Sequence, residues 1–161
     1  MIAVGIDPGL TGAAALVDSR GSCAIIDMPT VALPGTGLIR RRIDGGALAR
    51  ALREYCPIGE PRVVAIEAVR TMGGQNNAVQ TQGSLMRSLG AIEAVLEVLR
   101  LDFQSVEPQV WKGFYGLGSD KKESMAKALA LYPDAPIRLA KDHNKAEALL
   151  IAHWMLRTSL A

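Results

Sequence analysis

Asp7 closes the apolar run Val4-Gly5-Ile6, and Glu67 closes Val63-Val64-Ala65-Ile66. Each is an acid at the carboxyl end of a segment that reads as a buried strand. Glu147 is more unusual. It interrupts Ala146-Glu147-Ala148-Leu149-Leu150-Ile151-Ala152, a segment apolar on nearly every helical face. An ionised carboxylate in such surroundings is costly unless a cation or several donors compensate it. The nearest cations in sequence are few: Arg70 by Glu67, and Lys141 and Lys145 by Glu147. If parallel strands place Asp7 beside Glu67, like charge raises the cost further. A shared divalent ion removes it. Hard cations take oxygen ligands, so carboxylates without cysteine suit Mg²⁺ or Mn²⁺ and not structural zinc. Taken singly, Asp7 before Pro8-Gly9 could set a turn and Glu67 could pair with Arg70. Glu147 has no comparable simple role.

Asp142-His143-Asn144 adds ligand chemistry one turn ahead of Glu147. His143 and Asn144 lie four and three residues before it and share its helix face. Asp142 is five before, roughly 140° round at about 100° per residue, and contributes only if the helix starts near it. As a helix N-cap it would be ordinary. A neutral imidazole can ligate a divalent ion or position water. Asp142, His143 and Asn144 all stay open as the group that completes the set.

The elements that must position these residues follow from pattern. Strands are expected at 2–7, 12–17 and 23–28, with turn signals at Asp7-Pro8-Gly9 and Asp18-Ser19-Arg20-Gly21, which makes an antiparallel meander. Residues 29–46 hold two prolines, four glycines and Arg40-Arg41-Arg42 and read as loop. A helix over 47–55 ends at Pro57, Gly59 and Pro61, and a central strand follows at 62–67. Leu85, Leu89, Ile92, Leu96 and Leu99 recur at alternating steps of four and three, one face of a long helix. A strand at 102–106, a helical stretch from Pro108 broken by Gly116 and Gly118, a helix capped by Ser119 running to about 132, and a last helix from Asp142 to about 156 complete the chain. With no repeat and no linker, residues 1–161 form one α/β domain, a mixed sheet flanked by helices.

Composition narrows the classes. At 161 residues, 49% hydrophobic and 21% charged, the chain has the make-up of a globular protein, neither disordered nor fibrous. Eighteen Lys and Arg against sixteen Asp and Glu give a net charge of +2, which excludes a polycationic arm but not a local basic surface. No apolar stretch is long enough to span a bilayer, and the N-terminus reads as a first strand and not a signal peptide. Cys23 and Cys56 are expected as lone thiols in the cytoplasm.

Gly5-Ile6-Asp7-Pro8-Gly9-Leu10-Thr11-Gly12, Ala65-Ile66-Glu67, and Asp142-His143-Asn144-Lys145-Ala146-Glu147-Ala148-Leu149-Leu150-Ile151-Ala152 together resemble the three acidic motifs of RuvC-type Holliday junction resolvases. The match is closest to the short phage and prophage forms, and it covers essentially the whole chain in order and spacing. It extends to Val106-Glu107-Pro108-Gln109-Val110-Trp111-Lys112 and to Gly116-Leu117-Gly118-Ser119-Asp120-Lys121. The resemblance implies an RNase H-like five-stranded sheet, antiparallel meander first and parallel strands after. It also implies a homodimer, and metal-dependent endonuclease activity on four-way DNA junctions with two Mg²⁺ or Mn²⁺ ions per site. Asp7, Glu67 and Glu147 match metal-binding acids: Asp7 is expected to bridge both ions, Glu67 to hold the first, and Glu147 with Asp142 or His143 the second. Two departures stand out. The remaining acid of many bacterial members falls at Asn144, so Asp142 or His143 must substitute. Arg70 occupies a position where many members carry an aromatic that stacks on bases near the crossover.

DNA contacts are expected from Arg40, Arg41 and Arg42, from Arg70 with the amide-rich Gln75-Asn76-Asn77, and from Lys112, Lys121 and Lys122. The resemblance places Lys112 and Lys121 beside the acids. Trp111, Phe114 and Tyr115 are expected in the core and not as stacking residues. The Leu85-to-Leu99 seam fits either a dimer interface or packing on the sheet. No branch-migration partner is specified. Three rival functions are compatible with parts of the pattern. An actin-like or sugar-kinase-type nucleotide binder needs two lobes, for which the chain is too short. A junction-binding module without cleavage would have Asn144 marking a degenerated site. A nuclease of related fold would act on RNA or on branched DNA more generally.

Overall fold

Strand alternation sorts the side chains before any helix packs. β1 (Ile2–Asp7), β2 (Ala13–Asp18) and β3 (Cys23–Asp27) form the antiparallel meander, with Asp7 opposite Ala13 and Ala13 opposite Asp27. The structure is a computed structural model that describes residues 1–35, 40–69 and 77–160, the last stretch with side chains from Thr81 onward.

The next segment departs from expectation. β4 (Thr30–Ala32) and β5 (Arg41–Ile43) pair as a separate two-stranded hairpin in the stretch read as loop. Its proline and glycine content obscured two short strands, in which Ile43 is buried while Arg41 and Arg42 face solvent. Helix α1 (Gly45–Tyr55) begins earlier than expected, because Asp44 accepts a hydrogen bond from the Ala47 N–H at 2.9 Å. β6 (Arg62–Glu67) runs parallel to β1, α2 (Asn77–Val98) follows, and β7 (Phe103–Val106) runs parallel to β6. The sheet order is β3-β2-β1-β6-β7, as the mixed five-stranded expectation required. Helices α3 (Pro108–Tyr115), α4 (Lys121–Leu131) and α5 (His143–Ser159) complete the fold. The cap of α4 is Asp120 and not Ser119: its carboxylate accepts the Lys122 N–H at 2.8 Å.

Two cores result. On one face Val4, Ile6, Leu16, Val64 and Ile66 meet Leu48 and Leu52 of α1 and Ile92 and Leu96 of α2. The α2 seam therefore packs on the sheet. On the other face the sheet presents Ala3, Ala13, Ala15 and Ala65 to α5. Gly5 shares that face, and a Cβ there would collide with the backbone N of Ala152 and the carbonyl of Ala148. The α5 backbone thus rests directly on β1, an approach only glycine permits. With the sheet below and α4 alongside, α5 is covered on most sides, which is why residues 146–152 are apolar nearly all round. Cys23 and Cys56 are both free, and no described helix is long and apolar enough to cross a membrane.

Candidate active site

Ile6 and Ile66 are partners in the parallel β1–β6 ladder, and the next residue on each strand is the acid. Alternation through Gly5 and Ala65 turns both acids toward the α5 face. There the close contact at Gly5 brings Glu147, only 8% exposed, to the same end of the sheet. Burial and shared charge now act together. The Asp7 carboxyl is pushed up to about 6, chiefly by burial and further by the charge of Glu147, against the Gly9 N–H that reaches its Oδ1 at 3.4 Å. Burial pushes Glu67 up to about 7, Asp7 and Glu147 add to it, and the Trp111 hydrogen bond and Lys112 oppose it. A cleft of about 240 Å³ opens between Asp7, Glu67, Leu85 and Pro108.

The compensating groups come from α3 and α4. Lys112 Nζ pairs with Glu147 Oε1 at 3.0 Å, and Trp111 Nε1 donates to Glu67 Oε1 at 3.0 Å. Adjacent residues of α3 thus serve an acid on the sheet and an acid on α5. Lys145 does not compensate Glu147. It pairs with Asp27 at 3.2 Å and with Asp142 at 3.4 Å, since residues two apart on a helix point different ways. Lys121 Nζ donates to His143 Nε2 at 2.7 Å, and a lysine can only donate, so Nε2 carries the lone pair. The proton then lies on Nδ1, which donates to the Ala140 carbonyl at 3.3 Å.

The three residues ahead of Glu147 have separate tasks. Asp142 Oδ2 accepts the Arg138 and Leu139 N–H groups, each at 2.9 Å, and these bonds with Lys145 hold its carboxyl below the usual range. Both of its oxygens are engaged in fixing the start of α5. His143 is half-buried and faces Lys121. Asn144 Nδ2 donates to the Thr11 carbonyl at 2.8 Å, tying α5 to the loop that Asp7 begins.

Lys112 and Lys121 therefore reach the acid cluster, while Lys122 is exposed and only its backbone N–H is engaged, by the Asp120 cap. Arg40, Arg41 and Arg42 are exposed on or beside the β4–β5 hairpin. Arg70, Gln75 and Asn76 lie outside the described residues, as does the Asn77 side chain. Trp111 is fully buried, as expected of a core residue, and Tyr115 donates to the Leu150 carbonyl at 3.0 Å; Phe114 is half exposed instead. The bond from Trp111 to Glu67 went unread in the sequence. Its signal is general: a buried indole N–H needs an acceptor, and α3 follows β7, the strand next to the one Glu67 ends.

Among the described residues no three Asp, Glu, His or Cys side chains are gathered tightly enough to hold an ion as they stand. The chemistry of the donors nonetheless suits a hard divalent cation. Asp7 and Glu67 are oxygen donors whose burial makes the bare charged form costly, and Glu147 already holds a cation in the Lys112 ammonium.

No protein-family model matches the chain, and no curated protein matches it in sequence. Solved structures do. Thermus thermophilus RuvC in complex with a Holliday junction substrate superimposes with a TM-score of 0.61 at 19% identity, over 100% of this chain and 98% of that one. A second structure of Thermus thermophilus RuvC gives 0.55 at 21% identity, over 99% and 97%. The chain shares the mixed α/β fold of these RuvC structures over its whole length.

Proposed function

We propose that this protein is a divalent-metal-dependent endonuclease that cuts four-way DNA junctions. One observation carries the reading: Asp7 and Glu67 end adjacent parallel strands, and the buried Glu147 of α5 is brought to the same end of a sheet shared with RuvC structures. The solved relative with this fold was captured with a Holliday junction substrate.

Asp7, Glu67 and Glu147 would hold Mg²⁺ or Mn²⁺, two ions per site, with His143 completing the set because the oxygens of Asp142 are already engaged. When bound, the metal supplies Lewis acidity at the phosphodiester and charge to offset the carboxylates. The protein's own groups do the rest. Trp111 fixes the Glu67 carboxylate in place, and Asn144 holds the loop that leaves Asp7. Lys112 and Lys121 neutralise the phosphate, and Lys121 turning to DNA would free the His143 Nε2 lone pair as a ligand. Lys122 and Arg40 to Arg42 extend the positive surface. Two symmetric cuts call for two copies related by a two-fold axis.

The test is a labelled synthetic four-way junction incubated with Mg²⁺ or Mn²⁺, with products mapped to the nucleotide. The wild-type chain is expected to cut, and Asp7→Asn to bind without cutting. Metal-dependent cutting by Asp7→Asn excludes the assignment, and binding with no cutting by the wild-type chain leaves a junction-binding module.

A further inference from the structure

Beside the acids lies a second hollow, of about 860 Å³ against about 240 Å³ at the cleft of Asp7 and Glu67. One wall is the β4–β5 hairpin with Arg40, Arg41 and Arg42; the other is a face of α2 where Arg87 stands among small residues such as Gly83 and Ser84. The floor includes Thr11, which belongs to the loop leaving Asp7 and is tied to α5 by Asn144. Four guanidinium groups line the hollow, and no lining residue is acidic.

The arginines are displayed in two ways. Arg41 is pinned across the hairpin to the start of β4: Nε donates to Thr30 Oγ1 at 2.7 Å and Nη2 to the Thr30 carbonyl at 2.8 Å. Arg42 Nη1 reaches the Ile43 carbonyl at 3.2 Å. The hairpin itself is fixed, since Ile43 is buried in the α1–α2 core. By contrast the Arg40 and Arg87 side chains make no hydrogen bond or ion pair among the described residues. Uncompensated positive charge on facing walls creates a field that attracts a polyanion, and the guanidinium fork matches phosphate oxygens.

We propose that this groove holds the sugar–phosphate backbone of one strand of a DNA arm flanking the scissile phosphate, with Arg87 on α2 and Arg40 beside the hairpin contacting it from opposite walls. The inference rests on the endonuclease reading and deepens it. It assigns a role to Arg87, which no motif marks. It also makes the contact one to backbone, independent of sequence, because arginine forks on phosphates carry no base information. The small residues of the α2 wall leave the strand room.

The test is the salt dependence of binding of a four-way junction, and separately of a linear duplex, by the full chain in EDTA. Arg40→Ala/Arg87→Ala is expected to flatten the log–log slope by about 0.9 for each arginine removed on both substrates. Arg87→Lys is expected to keep the wild-type slope. Arg53→Ala, which removes an exposed arginine lining a different hollow, is expected to leave it unchanged. Thermal melting of each variant confirms that it is folded. An unchanged slope in the double variant, or equal flattening by Arg53→Ala, overturns the groove while leaving the endonuclease reading intact if the wild type still cuts. A wild type that binds neither DNA overturns both.

Discussion

The indole of Trp111 donates to Glu67 Oε1 at 3.0 Å from a position with no solvent exposure, so one carboxylate oxygen is fixed by a group that cannot move aside for water. The next residue, Lys112, holds Glu147 and lies 5.1 Å above the Trp111 ring. A hydrogen bond to a carboxylate typically orients it as a ligand, and removing such a partner commonly weakens metal binding by about 10–100-fold. Trp111→Phe, which retains most of the bulk, is expected to lower Mn²⁺ affinity within that range by calorimetric titration. The fold should survive at a cost of about 1–3 kcal/mol. Unchanged affinity would reduce Trp111 to a packing residue.

Gly5 sets how near α5 comes to the sheet. A methyl group there meets backbone atoms of Ala148 and Ala152, which cannot rotate away as a side chain would. Gly5→Ala is expected to lose about 3 kcal/mol in urea unfolding, at the upper end of overpacking effects. It should also displace Glu147 from Asp7 and abolish cutting. A variant with wild-type stability would mean the helix can lift without penalty.

Stability should fall with rising pH when no divalent ion is present. The folded-state values, about 6 for Asp7 and about 7 for Glu67, lie above the ordinary 3.8 and 4.5. The native state therefore binds more protons than the unfolded chain between about pH 4 and 7, and the slope of stability against pH is negative there. The contribution is complete below pH 4 and lost once both acids ionise above 7. Denaturant unfolding in EDTA is expected to show this decline, Asp7→Asn to reduce it, and millimolar Mg²⁺ at pH 8 to reverse it. A profile that rises from pH 5 to 8 in EDTA would contradict the buried-acid description.

Asp142 and His143 should separate cleanly. Asp142→Asn weakens the acceptor for two backbone N–H groups and the partner of Lys145. About 1–2 kcal/mol of stability is expected to go with it, while cutting of a junction at saturating Mg²⁺ persists. His143→Ala, at a half-buried position outside both cores, is expected to leave the melting temperature nearly unchanged and to slow cutting at least tenfold. The reverse pattern would make Asp142 the working residue.

Legibility in the sequence tracked the range of the interaction involved. The strands ending at Asp7 and Glu67, the apolar seam of α2 and the buried helix around Glu147 all follow from local period and apolar content, and the structure has them. The β4–β5 hairpin did not, because three-residue strands carry too little alternation to stand out among prolines and glycines. The Asp120 cap was missed by one residue, since Ser119 and Asp120 are both good caps and only backbone geometry chooses between them.

Partner choice was a different matter. By itself the chain determined that three acids would interrupt buried segments, because the residue types and their neighbours already state that conflict. Tertiary structure alone decided how it is relieved. Lys112 and Trp111 reach Glu147 and Glu67, whereas the cation nearest to Glu147 along the described chain, Lys145, turns to Asp27 and Asp142. The physical reason is that these pairings depend on β1–β6 register and on the closeness of α5 at Gly5, distances between layers that no local pattern encodes.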